Sequence, residues 1–207
     1  MSQFFQIHPD NPQARLVKQA AEIIRQGGLV VIPTDCAYAL ACRIGDKKAT
    51  ERVQRLRQLK ASHNFTLLCR DLSELAEFAK VDNSQYRQLK AHTPGAFTFI
   101  LEATRQVPKL LMNPKKRTIG IRVPDNAIAM ALLAEMDEPL MTTSLIMPGD
   151  ELPLSDPYDI RQLLEHDVDL VMDGGYCGIE ATTVVDMTDE MPMVMRQGMG
   201  DASTLLL

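Results

Sequence analysis

Gly27-Gly28-Leu29-Val30-Val31-Ile32-Pro33-Thr34-Asp35-Cys36-Ala37-Tyr38-Ala39-Leu40 is the stretch on which the fold turns. Two glycines end a helical pattern, four large aliphatic residues follow without alternation, and a proline closes the run. A short, wholly apolar segment between such breakers reads as a strand buried on both faces inside an α/β sheet. Its end delivers a hydroxyl, a carboxylate and a phenol, from Thr34, Asp35 and Tyr38, to the sheet edge where α/β proteins gather ligands. The same residues also fit a tight turn between two core strands, with Thr34 and Asp35 serving backbone groups.

Outward from this stretch, Asn11-Pro12 reads as a helix cap with proline at the first helical position. Leu16, Val17, Ala20, Ala21, Ile23 and Ile24 then recur at helical spacing up to the glycine stop. Asp46 caps a second helix with Ala49, Val53 and Leu56 facing inward. Residues 65–69 read as a strand, 71–80 and 84–92 as short helices, and Phe97, Phe99 and Leu101 as one side of a further strand. A strand over 118–123 is closed by Pro124, and Asp125 or Asn126 caps the helix that follows. Residues 140–144 form another strand, Asp156-Pro157 opens a helix through Leu164, and three late strands cover 170–173, 182–186 and 193–196. Strands and helices mix without strict alternation. The predicted architecture is therefore α/β, a twisted mixed parallel and antiparallel sheet flanked by helices, in one domain over residues 1–207.

Composition narrows the function classes. At 45% hydrophobic and 24% charged residues the chain is an ordinary globular one. No apolar run reaches the roughly 20 residues that span a bilayer, and the start lacks a basic leader segment, which predicts a cytoplasmic protein without membrane contact. Cys36, Cys42, Cys69 and Cys177 lie in or beside apolar segments without pair spacing and read as core residues, so no metal site is expected. His8, His63, His92 and His166 show no ligand spacing; His63, beside a basic helix, reads as a surface histidine.

The net charge of −5 conceals a segregation: residues 1–124 hold 20 of the 22 Lys and Arg but only 10 of the 27 Asp and Glu. Two basic clusters stand out, over 43–60 and 105–122. Lys47, Lys48, Arg52 and Arg55 in the first, and Lys115, Lys116 and Arg117 in the second, suit a phosphate-rich partner such as RNA. The alternative is a pair of solvated faces balanced in space by the acidic remainder.

Four strand ends share a chemistry of hydroxyl or arginine beside Pro or Gly: Pro33-Thr34-Asp35, Arg122-Val123-Pro124, Thr142-Thr143-Ser144, and Thr182-Thr183 with Arg196-Gln197-Gly198. Gathered together they make a cavity for an anionic small molecule, since hydroxyls, glycine amides and guanidinium forks all bind phosphate or carboxylate oxygens. No GxxxxGK[ST], GxGxxG or GxSxG motif is present, so the usual nucleotide cradle and hydrolase elbow are absent.

Taken in order, Gly28 through Leu40, Pro94-Gly95-Ala96-Phe97-Thr98, Arg122-Val123-Pro124-Asp125, Pro139-Leu140-Met141-Thr142-Thr143-Ser144, Asp173-Gly174-Gly175, Thr182-Thr183-Val184-Val185-Asp186 and Arg196-Gln197-Gly198 resemble the YrdC/YciO family, nearest its YciO branch. The resemblance covers residues 14–198 and implies a YrdC-like fold with a concave basic surface. It implies the activity of L-threonylcarbamoyladenylate synthases: threonine and bicarbonate condense, AMP passes from ATP to the carbamate, pyrophosphate leaves, and the product serves threonylcarbamoyladenosine modification of tRNA. Mg2+ would accompany the ATP, with no tightly bound cofactor. Partners would be ATP or AMP, L-threonine, and double-stranded RNA or tRNA.

By position, the resemblance puts Thr34, Tyr38, Arg122, Thr143 and Thr182 around the threonine, with Arg122 on its carboxylate. It puts Arg57, Lys60, Thr118, Ser144 and Arg196 on the nucleotide and its phosphates. The departures from the synthase pattern are Arg57-Gln58-Leu59-Lys60 in place of Lys-x-Arg-Pro, Cys36 in place of a threonine, and Leu145-Ile146 in place of Ala-Asn. These favour binding over turnover, because small misplacements of a reacting phosphorus are costly. The alternative function is a non-catalytic double-stranded RNA-binding protein.

Overall fold

A computed structural model describes residues 1–59, 63 and 65–206. The chain folds as β1 Gln3–Gln6, α1 Ala14–Arg25, β2 Val30–Ile32, β3 Ala39–Arg43, α2 Lys47–Arg57, β4 Thr66–Leu68, α3 Leu72–Phe78, α4 Asn83–His92, β5 Phe97–Glu102, β6 Thr118–Arg122, α5 Ala127–Met136, β7 Leu140–Ser144, α6 Pro157–Leu164, β8 Leu170–Asp173, β9 Thr183–Asp186 and β10 Met193–Arg196, with a terminal 3-10 turn, Ala202–Leu206.

Local chemistry accounts for most boundaries. The glycine stop is a Schellman motif: Gly28 N–H donates to the Ile23 carbonyl at 2.9 Å and Gly27 N–H to Ile24 at 3.0 Å, with Gly27 at φ +86°. A side chain at Gly28 would collide with Ile23. Carboxylate or amide caps start four helices where the sequence placed a cap or a helix start: Asp46 receives Ala49 N–H at 2.9 Å, Asp71 receives Glu74 N–H at 2.8 Å, Asn126 receives Ala129 N–H at 3.0 Å and Asp156 receives Tyr158 N–H at 2.8 Å. The first helix differs from the reading, since Asn11 and Pro12 lie outside it and it opens at Ala14 after Gln13. Asn11 N–H is instead held by His8 Nδ1 at 3.1 Å, in a turn that precedes the helix. Strand β1 has no counterpart in the sequence reading, its four residues being too short to show a period.

The ten strands form one mixed sheet in the order β1-β8-β2-β3-β7-β4-β6-β5-β9-β10. Neighbours β1/β8, β2/β8, β4/β6 and β5/β9 run parallel and the other five pairs antiparallel. One face carries Val31, Leu40, Leu67, Phe99, Ile121, Met141 and Val185 into the larger core, where Val53 of α2, Leu75 of α3, Leu89 of α4 and Ile160 of α6 cover it.

The opposite face is covered only in part. Val30, Ile32, Ala39, Ala41, Leu68, Leu140, Leu170 and Met172 pack under α1 and α5 through Ala20, Ala21, Ile24, Ala129, Leu132 and Leu133. Beyond Ala39 and Leu68 the same face opens into a cavity.

Candidate functional site

The cavity is about 270 Å³ in volume and is floored by alternate residues of successive strands. Thr66 and Leu68 come from β4, Gly120 and Arg122 from β6, Thr98 and Ile100 from β5, Thr142 and Ser144 from β7, and Thr182 and Val184 from the β9 segment. The period of two is that of a strand presenting one face. Where the helix-covered part of this face shows Val, Ile, Leu and Ala, the cavity floor shows five hydroxyls and a glycine. Sequence reading placed the ligand site at strand ends. Arg122, Ser144 and Arg196 are the last residues of β6, β7 and β10, and Thr66, Thr98, Gly120 and Thr142 carry the lining from there onto the sheet face.

Several separated residues of the sequence reading do meet here. Thr34, Arg122, Thr143, Ser144, Thr182 and Arg196 all border the one cavity. Thr34 combines both readings of its segment, for its hydroxyl donates to the Ala37 carbonyl at 2.6 Å and accepts Ala37 N–H at 3.2 Å, fixing the turn, while the residue borders the cavity. Arg122 lies in a buried ion pair with Asp35, and its Nη2 also meets Cys36 Sγ at 3.3 Å. Arg122 Nε and Asp35 Oδ2 are buried without a partner. Of the two residues, Arg122 borders the cavity and Asp35 stands behind it. Arg196 Nη2 donates to the Thr182 carbonyl at 2.9 Å, and the Thr182 hydroxyl lies 2.9 Å from that of Thr98.

Other residues stand elsewhere. Tyr38 does not border the cavity; its phenol donates to the Gly175 carbonyl at 2.7 Å and accepts Gly174 N–H at 3.2 Å, tying the β8–β9 loop down. Burial pushes the phenol's pKa well up. Thr118 shares the face of Gly120 and Arg122, but it lies one same-face step up β6, roughly 7 Å beyond Gly120, and is outside the cavity. Arg57 stands behind the wall: its Nη1 donates to the Ser144 carbonyl and reaches the Thr143 hydroxyl at 3.4 Å. Lys60 lies outside the described residues.

His63 departs from the surface histidine of the sequence reading. It is half-buried and borders the cavity, with Nε2 3.3 Å from the Thr143 hydroxyl and its ring edge-on to Phe65 at 5.2 Å. Burial, and secondarily the Arg57 charge, lower its pKa. Thr66 and Thr98 were also missed as site residues, although the alternation of Thr98 with Phe97 and Phe99 is the signal that places a hydroxyl on the second sheet face.

None of the seven basic residues assigned to RNA borders the cavity. Lys47, Lys48 and Arg55 on α2, and Lys115, Lys116 and Arg117 before β6, are exposed. The two segments approach each other where Gly45 faces Pro108. Arg52 is tied to Asp169 at 2.7 Å and Lys116 to Asp186 at 3.5 Å, and Arg43–Glu138, Arg70–Asp137 and Arg25–Glu135 likewise join the basic part of the chain to its acidic remainder. Part of the charge segregation seen in the sequence is therefore compensated in space. No helix is long and apolar enough to cross a membrane, and no group of three or more His, Cys, Asp or Glu is placed to hold a metal, both among the described residues.

Comparison with known proteins places the chain among relatives of this fold. The chain is 55% identical over 206 residues to an uncharacterized protein, YciO, of Escherichia coli, covering all of both chains, and the crystal structure of E. coli YciO superposes with a TM-score of 0.97. It is 26% identical over 185 residues to the threonylcarbamoyl-AMP synthase of Pyrococcus abyssi, covering 88% of this chain and 54% of that one. The crystal structure of P. abyssi Sua5 complexed with L-threonine shares the fold, with a TM-score of 0.86 at 23% identity over 94% of this chain and 57% of that one. The Sua5/YciO/YrdC family model, described as telomere recombination, matches residues 22–198. With that span matched and a near-full-length relative at 55% identity, the chain belongs to the Sua5/YciO/YrdC family.

Proposed function

We propose that the sheet-face cavity binds an adenine nucleotide and L-threonine, with threonylcarbamoyl-adenylate formation as the associated chemistry and structured RNA as the macromolecular partner. The observation that carries this reading is the meeting of Arg122, Arg196, His63 and a floor of hydroxyls in one cavity, from strands far apart in the sequence. The distant similarity to threonylcarbamoyl-AMP synthases supplies the reaction. In it a carbamate oxygen of N-carboxythreonine attacks the α-phosphorus of ATP, an O–P bond forms, and the bond to pyrophosphate breaks.

The residues have separable tasks. Arg122, at the cavity border, meets the threonine carboxylate while Nη2 stays on Asp35. Arg196 and the hydroxyls of Thr98 and Ser144 face the phosphates, where fixed donors stabilise developing charge without reorganisation, and Thr182 stays with the threonine. No carboxylate borders the cavity among the described residues, so these residues fit magnesium carried in on the nucleotide's own phosphates.

The placement of Arg57 favours a second reading. Its guanidinium is turned onto the Ser144 carbonyl, and Leu145 is wholly buried in the core, so the cation and amide of the synthase pattern are not offered to a phosphate. Such a site binds without turning over, and the protein then acts through double-stranded RNA. Incubation with ATP, Mg2+, threonine and bicarbonate tests both: pyrophosphate release that is lost on Arg196→Ala supports the synthase. Nucleotide binding without release, together with RNA affinity that falls steeply with salt, supports the binder. Absence of any nucleotide binding ends the cavity reading.

A further inference from the structure

His63 is the only histidine bordering the cavity, and its surroundings are specific. Phe65 fixes the ring edge-on, and the Thr143 hydroxyl lies 3.3 Å from Nε2 and 3.4 Å from Arg57 Nη1. Arg57 only donates, so Thr143 accepts from it and can turn its own proton to a neutral imidazole, or accept a second donor from a charged one. The charged group that acts on the ring is Arg57 from α2, and the other charged residues bordering the same cavity are Arg122 from β6 and Arg196 from β10. Among the described residues no carboxylate borders the cavity and no ion pair to His63 exists.

We propose that His63 is a binding residue of the cavity wall whose protonation is linked to occupancy by an anion. This rests on the cavity reading above and extends it to a residue outside the family-derived set. In the empty cavity burial, and secondarily the Arg57 charge, disfavour a positive imidazole and lower its pKa. A phosphate or sulfate oxygen placed in the cavity against the imidazole reverses that balance. Linkage then requires reciprocity: the anion raises the histidine's pKa, and protonation tightens the anion by the same factor. Affinity is lowest above the occupied-state pKa, rises as pH falls, and levels off below the empty-state pKa.

The test follows the His63 imidazole resonance by NMR from pH 5 to 8, with and without saturating inorganic sulfate, whose charge is constant over that range. The resonance is assigned by its loss in His63→Gln. The expected result is a pKa below the ordinary 6.5 of histidine without sulfate and a raised one with it. Sulfate should tighten about tenfold for each unit of that rise, and His63→Gln should bind it with an affinity flat in pH. Binding that is abolished by Arg122→Ala yet leaves the His63 pKa unmoved overturns this proposal and leaves the cavity reading standing. No sulfate binding sensitive to Arg122 overturns both. A thermal melt of each variant separates loss of the site from loss of the fold.

Discussion

One face of the sheet holds two regions built on the same strand geometry and put to different ends. Over β8, β2 and β3 it carries Val30, Ile32, Leu170 and Met172 and is sealed by α1 and α5, whose small residues Ala20, Ala21 and Ala129 let the helices sit close. Over β4, β6, β5 and β9 the corresponding positions are Thr66, Gly120, Arg122, Thr98 and Thr182, and a cavity replaces the helix layer. The sealed region contributes burial, at about 25 cal/mol per Å² of apolar surface removed from water. The open region has little apolar surface to contribute, and its hydroxyls and guanidiniums hold one another in place: Thr98 to Thr182, Arg196 to Thr182, Arg122 to Asp35. Stability and recognition are thus divided across one face by where two helices stop.

Four substitutions would break or sharpen that contrast. Arg122→Ala has the largest expected effect, about 3–5 kcal/mol of lost stability, because Asp35 is left buried and unpaired. Removing Asp35 as well should recover much of the stability in a urea titration while ligand binding stays lost, which locates the cost in the orphaned charge. In the sealed region Leu132→Ala should cost about 2–5 kcal/mol through the void it leaves, with sulfate or nucleotide affinity of the folded protein unchanged. A matching loss of affinity would show that the two regions are coupled.

On the open floor, Thr98→Val should cost only about 0.5–1.5 kcal/mol, the worth of the hydrogen bond to Thr182, and weaken ligand binding more than it weakens the fold. A loss as large as that of Leu132→Ala would erase the distinction. The smallest effect is expected at the end of α2, beside Arg57, where Gln58 sits at φ +49° in the left-handed position that glycine favours. Gln58→Gly should raise stability by about 0.5–1 kcal/mol, read as a higher denaturation midpoint. A decrease would mean that the Gln58 side chain makes a contact worth more than the backbone strain it relieves.

Elements whose cause lies within a few residues were legible without coordinates. The glycine stop after α1, the caps at Asp46 and Asn126, the Asp156-Pro157 start of α6 and the apolar runs of β2 and β8 follow from local backbone chemistry. The convergence of Thr34, Arg122, Ser144 and Arg196 was legible as a hypothesis because hydroxyls and arginines recur at comparable points of successive strands. Tyr38, Thr118 and His63 were not legible, since each depends on a partner distant in the chain: the Gly174-Gly175 loop, the register of β6 against its neighbours, and the Thr143–Arg57 contact.

By itself, then, the sequence determined the segments, their caps and breaks, the mixed sheet and the supply of anion-binding side chains, because these rest on spacing and on hydrogen bonds within a turn or two. Only the tertiary structure decided which half of a sheet face two helices seal, that the cavity lining runs from the strand ends onto that face, and that Asp35 answers Arg122. Strand order and register join residues separated by tens to more than a hundred positions, and a pairing shifted by one residue would send every hydroxyl of the floor into the opposite core.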